Sequence, residues 1–158
     1  LMWQGPTGGH NRTVQSPGYV TILHEEYLDR RVIPTNGRGH GSIRQWFGDA
    51  VGKWEGSTFV VDTINFIDRT NYEWASIFTR PSETLHIVER FTRTGADAME
   101  YRITVEDPPT FEKPWTAVIP ITRLNDGTQI YEYACHEGNY AMTNLLAGGR
   151  VDAAKRSR

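Results

Sequence analysis

Short runs of alternating apolar and polar residues recur along the chain, and this pattern is typical of β-strands. The run YVTILHEEY (residues 19–27) is rich in β-branched and aromatic residues. The run STFVVDTINF (residues 57–66) has a Val-Val centre, which predicts burial on both faces. Residues 34–56 carry Pro34, several glycines and two tryptophans without a clear period, so we expect a long loop with one short helical turn near residues 43–47.

Two hairpins are indicated further along the chain. TLHIVERFTRT and AMEYRITVED flank Gly95-Ala96, and WTAVIPITRL and TQIYEYACHE flank Asn125-Asp126-Gly127, which contains one of the strongest short turn signals. Pro120 indicates that its strand is bulged or lies at a sheet edge. With a compact first turn, the predicted partners are His86 with Val105, Val88 with Ile103, Arg90 with Tyr101 and, on the opposite face, Glu89 with Arg102.

Six such strands without alternating helices predict a mainly β fold, an antiparallel barrel or sandwich of lipocalin-like or calycin-like character. The segment NYAMTNLLAGGR predicts a short C-terminal helix that ends at Gly148-Gly149. The expected organisation is an irregular N-terminal arm over residues 1–18, a single β-rich domain over residues 19–150 and a polar tail over residues 151–158.

The amino-acid composition argues against several classes of function. The 158 residues suit one domain, and a formal charge of −2 lacks the basic excess of a nucleic-acid binder. No run approaches the roughly 20 apolar residues of a membrane helix. The glycine-rich stretch from Gly37 to Ser42 lacks the lysine and spacing of a phosphate-binding loop and is interpreted as a flexible loop.

Polar side chains stand at positions where apolar ones are expected. His24 and Glu26 continue the face of Val20 and Ile22. Burying such groups costs free energy unless each is paired, so their recurrence indicates a polar-lined cavity or an internal polar network. The alternative is that the face of each strand is assigned wrongly by one residue. These polar groups would then point to solvent. The other strands with this arrangement carry His86 and Arg90 around Val88, and Glu132 and His136 around Ala134.

Histidine beside carboxylate suits acid–base chemistry, because the imidazole titrates near neutrality and the carboxylate fixes its tautomer. We expect His136 to act as general acid or base, Glu132 as its orienting group or a second acid, and Arg90 as a stabiliser of negative charge. His24, His86 and His136 are also candidate ligands of a divalent metal, with Glu26 or Glu132 as a further ligand, although no compact motif such as HExxH is present.

Three runs carry a resemblance to a known family. RQWFGDAVGKWEGSTFVVDTINFID, SETLHIVERFTRTGADAMEYRITVEDPPTFEKPWTA and YEYACHEGNYAMTNLLAGGR resemble the C-terminal half of a family of exported bacterial proteins without an assigned activity. The resemblance covers roughly residues 15–150, and the YEYACHEGNY segment is its most specific part. Where the family tends to have GDS and WEGDT, this chain has Gly48-Asp49-Ala50 and WEGST. The resemblance implies a periplasmic or extracellular bacterial protein, and a processed or partial chain.

The expected function is therefore binding of a small organic molecule in a polar-lined β-barrel cavity, with acid–base catalysis of the lyase, isomerase or hydrolase type. Two alternatives stay open: a non-catalytic binding or accessory module, and a histidine-ligated metal-binding protein. The expected partner is a small-molecule ligand, with no nucleic acid and no membrane span, and the oligomeric state is left open.

Overall fold

A computed structural model describes residues 10–25, 29–68, 82–124, 127–134 and 137–156. Eight strands and one helix occupy these ranges. The elements are β1 (Asn11–Ser16), β2 (Tyr19–His24), β3 (Arg30–Pro34), β4 (Asp49–Glu55), β5 (Thr58–Ile64), β6 (His86–Arg93), β7 (Ala98–Glu106), β8 (Trp115–Thr122) and α1 (Ala141–Arg156).

The strands form two antiparallel sheets in which neighbours in sequence are neighbours in space. One sheet has the order β1-β2-β3 and the other the order β4-β5-β6-β7-β8. Each sheet is a meander, because every strand pairs with the strand that precedes it in the same sheet. β8 is an edge strand among those described, as Pro120 predicted.

The buried faces of the two sheets share one hydrophobic core. Ile22 and Ile33 from the three-stranded sheet pack in the same cluster as Val61, Ile87 and Ile103 from the five-stranded sheet. Alternate residues of β5, β6 and β7 therefore point toward this core, and the residues between them point away from it. We call the second surface the outer face of the five-stranded sheet.

A buried ion pair crosses the core from β3 to β6. Arg31 donates to both carboxylate oxygens of Glu89, at 3.0 and 2.7 Å, and the Tyr101 hydroxyl donates to Glu89 at 2.8 Å. The Arg31 side chain is 7% exposed and that of Glu89 is fully buried. Burial opposes both charges, but the attraction and hydrogen bonds between them dominate, raising the pKa of Arg31 and lowering that of Glu89.

The prediction of a mainly β, antiparallel fold with a C-terminal helix is confirmed. The described strands form two sheets that share one core and do not close into a barrel. The lipocalin-like or calycin-like character stays a prediction. The Val-Val centre of β5 is buried on both faces as predicted, since Val60 and Val61 are 3% and 0% exposed.

Several element boundaries differ from expectation. Residues 11–16 of the supposed irregular arm form β1, and the expected long loop contains β4. Residues 43–47 hold a bridge from Gln45 to Phe66 and a turn in place of the helical turn. The helix continues to Arg156 through most of the supposed tail, because Gly148 and Gly149 adopt helical geometry and do not cap it.

The first predicted hairpin is present as β6 and β7, but its register is shifted by one residue. His86 lies opposite Glu106, and Glu89 lies opposite Ile103. The turn is wider than a two-residue loop, because the amides of Thr94 and Gly95 both donate to the carbonyl of Ala98. A shift of one residue exchanges the two faces of a strand, so Glu89 is buried and His86 and Arg90 move to the outer face.

The second predicted hairpin is present only in its first strand, β8. Residues 127–134, which include most of TQIYEYACHE, have no strand pairing. Its predicted turn at Asn125-Asp126 lies outside the described residues. The chain instead passes near β2, where the Tyr131 amide donates to Glu25 at 3.0 Å.

Candidate functional site

Titratable side chains from four consecutive strands meet at one end of the outer face. Asp62 is on β5, His86 on β6 and Glu106 on β7, and antiparallel pairing places the end of β5, the start of β6 and the end of β7 at the same edge. His86 lies directly opposite Glu106, and Asp62 pairs with Val88, two residues beyond His86. Asp49, at the start of β4, completes the row.

Asp62 accepts hydrogen bonds from two imidazoles, one on each carboxylate oxygen. Nε2 of His40 lies 2.8 Å from Oδ1, and Nε2 of His86 lies 3.1 Å from Oδ2. A carboxylate offers only acceptors, so each Nε2 carries the proton and donates it. The tautomer of both rings is thereby fixed, and Nδ1 is the ring nitrogen whose lone pair can still accept a proton.

A second carboxylate stands beside each Nδ1 atom. Oδ2 of Asp49 is 3.6 Å from Nδ1 of His40, and Oε2 of Glu106 is 3.6 Å from Nδ1 of His86. The two rings differ in access: Nδ1 of His40 is buried without a hydrogen-bond partner among the described residues. His86 is 35% exposed and Glu106 is 52% exposed. His86 therefore presents the nitrogen that a molecule from solvent can reach.

The loop that supplies His40 is tied down by Asp49. Arg38 donates to both oxygens of Asp49, at 3.2 and 2.5 Å, and the Gly41 amide donates to it at 2.6 Å. The hydrogen bonds from Arg38 lower the pKa of Asp49 despite its partial burial, and the Gly41 amide acts in the same direction. These contacts on both sides of His40 anchor the loop in a position from which the His40 ring reaches Asp62. The stretch is a loop as expected, and its flexibility stays a prediction.

The end of β5 holds the same loop from the other side. Asn65 has a positive φ of 62°, a conformation that asparagine tolerates better than most residues. Its side-chain amide donates to the Gly41 carbonyl at 2.6 Å, and its carbonyl accepts from the Gln45 amide at 2.9 Å. The loop thus follows the chain that leaves β5, which is why His40 reaches Asp62.

The predicted site residues do not form one group. His24 continues the core-facing side of β2, as its alternation predicted, and its Nδ1 lies 2.5 Å from Oδ1 of Asn11. Burial lowers the pKa of His24 to about 4, with the positive charge of Arg31 acting in the same direction. His24 faces the core and His86 lies on the outer face, so the expected joint metal site is not formed by these two residues.

The other predicted residues are also dispersed. Arg90 lies on the outer face and pairs with Glu55, away from the Asp62 end of the sheet. Glu132 is exposed in the unpaired stretch after β8. His136 and Glu26 lie outside the described residues, so their assigned roles remain predictions.

A preformed metal centre is not seen in the described part of the chain. No three of its histidine, cysteine, aspartate or glutamate side chains form a group that could hold a metal ion. At Asp62 the two imidazole nitrogens donate hydrogen bonds to the carboxylate, which leaves their Nε2 lone pairs unavailable to a metal.

The sequence interpretation missed His40, Asp49, Asp62 and Glu106. With the correct hairpin register, Glu106 would have been placed opposite His86. Asp62 was recognisable as the only charged residue within the apolar run of β5. The position of His40 depends on two hydrogen bonds of Gly41, one donated by its amide to Asp49 and one accepted by its carbonyl from Asn65, for which no local pattern exists.

Comparison of the chain with protein-family models, curated proteins and solved structures finds no match. The resemblance to exported bacterial proteins therefore remains a prediction. A search of the described residues finds no helix with the length and apolar character needed to cross a membrane. Site geometry is accordingly the basis for the functional proposal.

Proposed function

We propose that the protein binds a small organic molecule at the outer-face cluster and exchanges protons with it through His86. The observation that carries the proposal is the fixed orientation of His86, whose Nε2 donates to Asp62 at 3.1 Å while its Nδ1 is left to accept a proton. A carboxylate on one ring nitrogen raises the basicity of the other and stabilises the imidazolium that forms.

The remaining residues hold this pair in place. His40 donates to the other oxygen of Asp62, which prevents the carboxylate from rotating away from His86. Arg38 and Asp49 anchor the loop that carries His40. His86 and Asp62 are thus assigned the proton chemistry, and His40 is a positioning residue.

The reactivity of the His86 imidazole tests the first part of the proposal. Diethyl pyrocarbonate acylates unprotonated imidazole, and peptide mass spectrometry gives the rate at each histidine. At an alkaline pH where the imidazole is unprotonated in both proteins, the rate at His86 should be lower in Asp62→Asn, because loss of the hydrogen-bonded carboxylate makes the free ring nitrogen less basic and less nucleophilic. The rate at His10, which lies outside the cluster, should stay unchanged. Equal rates at His86 in the two proteins would contradict the assignment.

Ligand binding tests the second part. A library of small organic compounds is screened by ligand-observed NMR against the wild type, His86→Gln and, as the matched control, His10→Gln. Compounds that bind at the cluster should no longer bind to His86→Gln and should still bind to His10→Gln. Equal binding to the wild type and to both variants would exclude the cluster as the binding site.

A non-catalytic binding module is the second candidate. It shares the ligand-binding and acylation results but predicts that every bound compound is recovered unchanged. NMR of each bound compound after prolonged incubation with the protein separates the candidates, because only the catalytic one predicts a new product.

A further inference from the structure

The charges around His86 favour one class of ligand. Arg38 neutralises Asp49 through two hydrogen bonds, which leaves Asp62 and Glu106 as the charged groups that flank the His86 ring. The other arginines on this face are engaged elsewhere along the strands, Arg90 with Glu55 and Arg102 with Glu100. Among the described residues, no arginine or lysine pairs with Asp62 or Glu106, so these two carboxylates give the accessible part of the cluster its negative charge.

The acceptors near His86 point to the same class. Its Nε2–H donates a hydrogen bond to Asp62, so Nδ1 carries the lone pair and is an acceptor. Oε2 of Glu106 lies 3.6 Å from that nitrogen and is also an acceptor. No donor from the described residues bridges these two acceptors, and a group with several N–H bonds and a positive charge can donate to both.

We propose, on the basis of the function proposed above, that the small molecule carries a protonated amine that donates to Nδ1 of His86 and to the carboxylate of Glu106. Ligands that carry a carboxylate or a phosphate are disfavoured at this site, because they would place a negative charge beside Asp62 and Glu106. Glu106 is thus the residue that determines specificity, and the Asp62–His86 pair is the proton-exchanging group.

Three probes of the same size and different charge test the proposal: benzylamine, benzyl alcohol and benzoate. Their dissociation constants are measured near neutral pH by NMR titration of the wild type. Benzylamine should bind about tenfold or more tightly than benzoate, with the alcohol between them. Glu106→Gln should weaken benzylamine about tenfold while changing the affinity for the alcohol little.

Glu100→Gln is the matched control. Glu100 lies on the same strand and the same face as Glu106, six residues or roughly 20 Å away. Removal of its charge should leave all three affinities unchanged. If the two glutamine variants weaken benzylamine equally, the effect comes from net charge and the proposal is overturned.

The remaining outcomes separate this inference from the proposed function. Benzylamine binding that is lost in His86→Gln but unaffected in Glu106→Gln would overturn the ligand class and leave the proposed site intact. Binding that survives both substitutions would contradict both proposals. Equal or tighter binding of benzoate, or no binding of any probe, would overturn the inference, while the acylation rate at His86 would still decide the assignment of the Asp62–His86 pair.

Discussion

The buried ion pair between Arg31 and Glu89 makes a strong prediction about stability. Arg31→Met replaces the guanidinium with an apolar side chain of similar length and leaves Glu89 charged in the core. Glu89 is fully buried, and it would lose donors at 3.0 and 2.7 Å. Breaking a buried pair on one side costs about 3–5 kcal/mol, because a charge is left uncompensated. For a chain of this size the loss corresponds to roughly 6–20 °C in Tm.

The double variant Arg31→Met/Glu89→Leu should behave differently. It removes both charges together and leaves mainly the Tyr101 hydroxyl without its bond to Glu89, a loss of about 1 kcal/mol. We therefore expect the double variant to unfold within about 2 kcal/mol of the wild type, although each single variant costs more.

Urea unfolding at neutral pH, followed by tryptophan fluorescence and by near-UV circular dichroism of the packed aromatic side chains, gives the four free energies of this cycle. Coincident transitions for the two probes show that each variant unfolds in one step. The reasoning is refuted if Arg31→Met costs less than about 1 kcal/mol, or if the double variant loses the sum of the two single variants.

Two further substitutions test the environments of His24 and Gly52. His24 has a folded-state pKa of about 4 against 6.5 for the ordinary side chain, so the unfolded chain binds more protons between these values. Stability should thus fall by up to about 3 kcal/mol as the pH drops from 6.5 to 4, and urea unfolding of His24→Leu should show a flatter dependence across that window. Gly52→Ala should cost about 1–3 kcal/mol in the same assay, because an added Cβ would lie 2.6 Å from the Phe59 ring and 2.9 Å from Ile33. Gly39→Ala meets nothing within 4 Å and should change stability by less than about 0.5 kcal/mol; equal effects would contradict the packing at Gly52.

Local alternation was enough to predict the strands whose one face is apolar. β2, β5, β6, β7 and β8 all lie within runs identified from the sequence, whereas the five-residue strand β3 was not predicted. β1 was missed because its residues are almost all exposed, so its two faces do not differ in polarity. β4 was missed because its glycine, lysine and tryptophan obscure the period, and its pairing with β5 determines its conformation.

The candidate site was harder to predict, because its geometry depends on register and on contacts far apart in sequence. The turn at Thr94–Ala98 shifts β6 against β7 by one residue, and that shift decides that Glu89 enters the core while His86 leaves it. The prediction that some polar side chains are buried is confirmed, since His24, Arg31 and Glu89 are buried. Which of the polar residues they would be could not be decided without the register.

Helix α1 has a consequence for how the molecule unfolds. None of its described side chains is buried, and Gly148 and Gly149 stand near its middle, each about 1 kcal/mol less favourable than alanine in a helix. A helix of this length without an apolar contact face is marginal on its own. Its amides should therefore exchange with solvent far faster than those of β5 and β6, and its melting should be gradual and separate from the cooperative transition of the sheets. Heat denaturation monitored by helical dichroism would then report a local equilibrium, whereas tryptophan fluorescence would report the β-rich body.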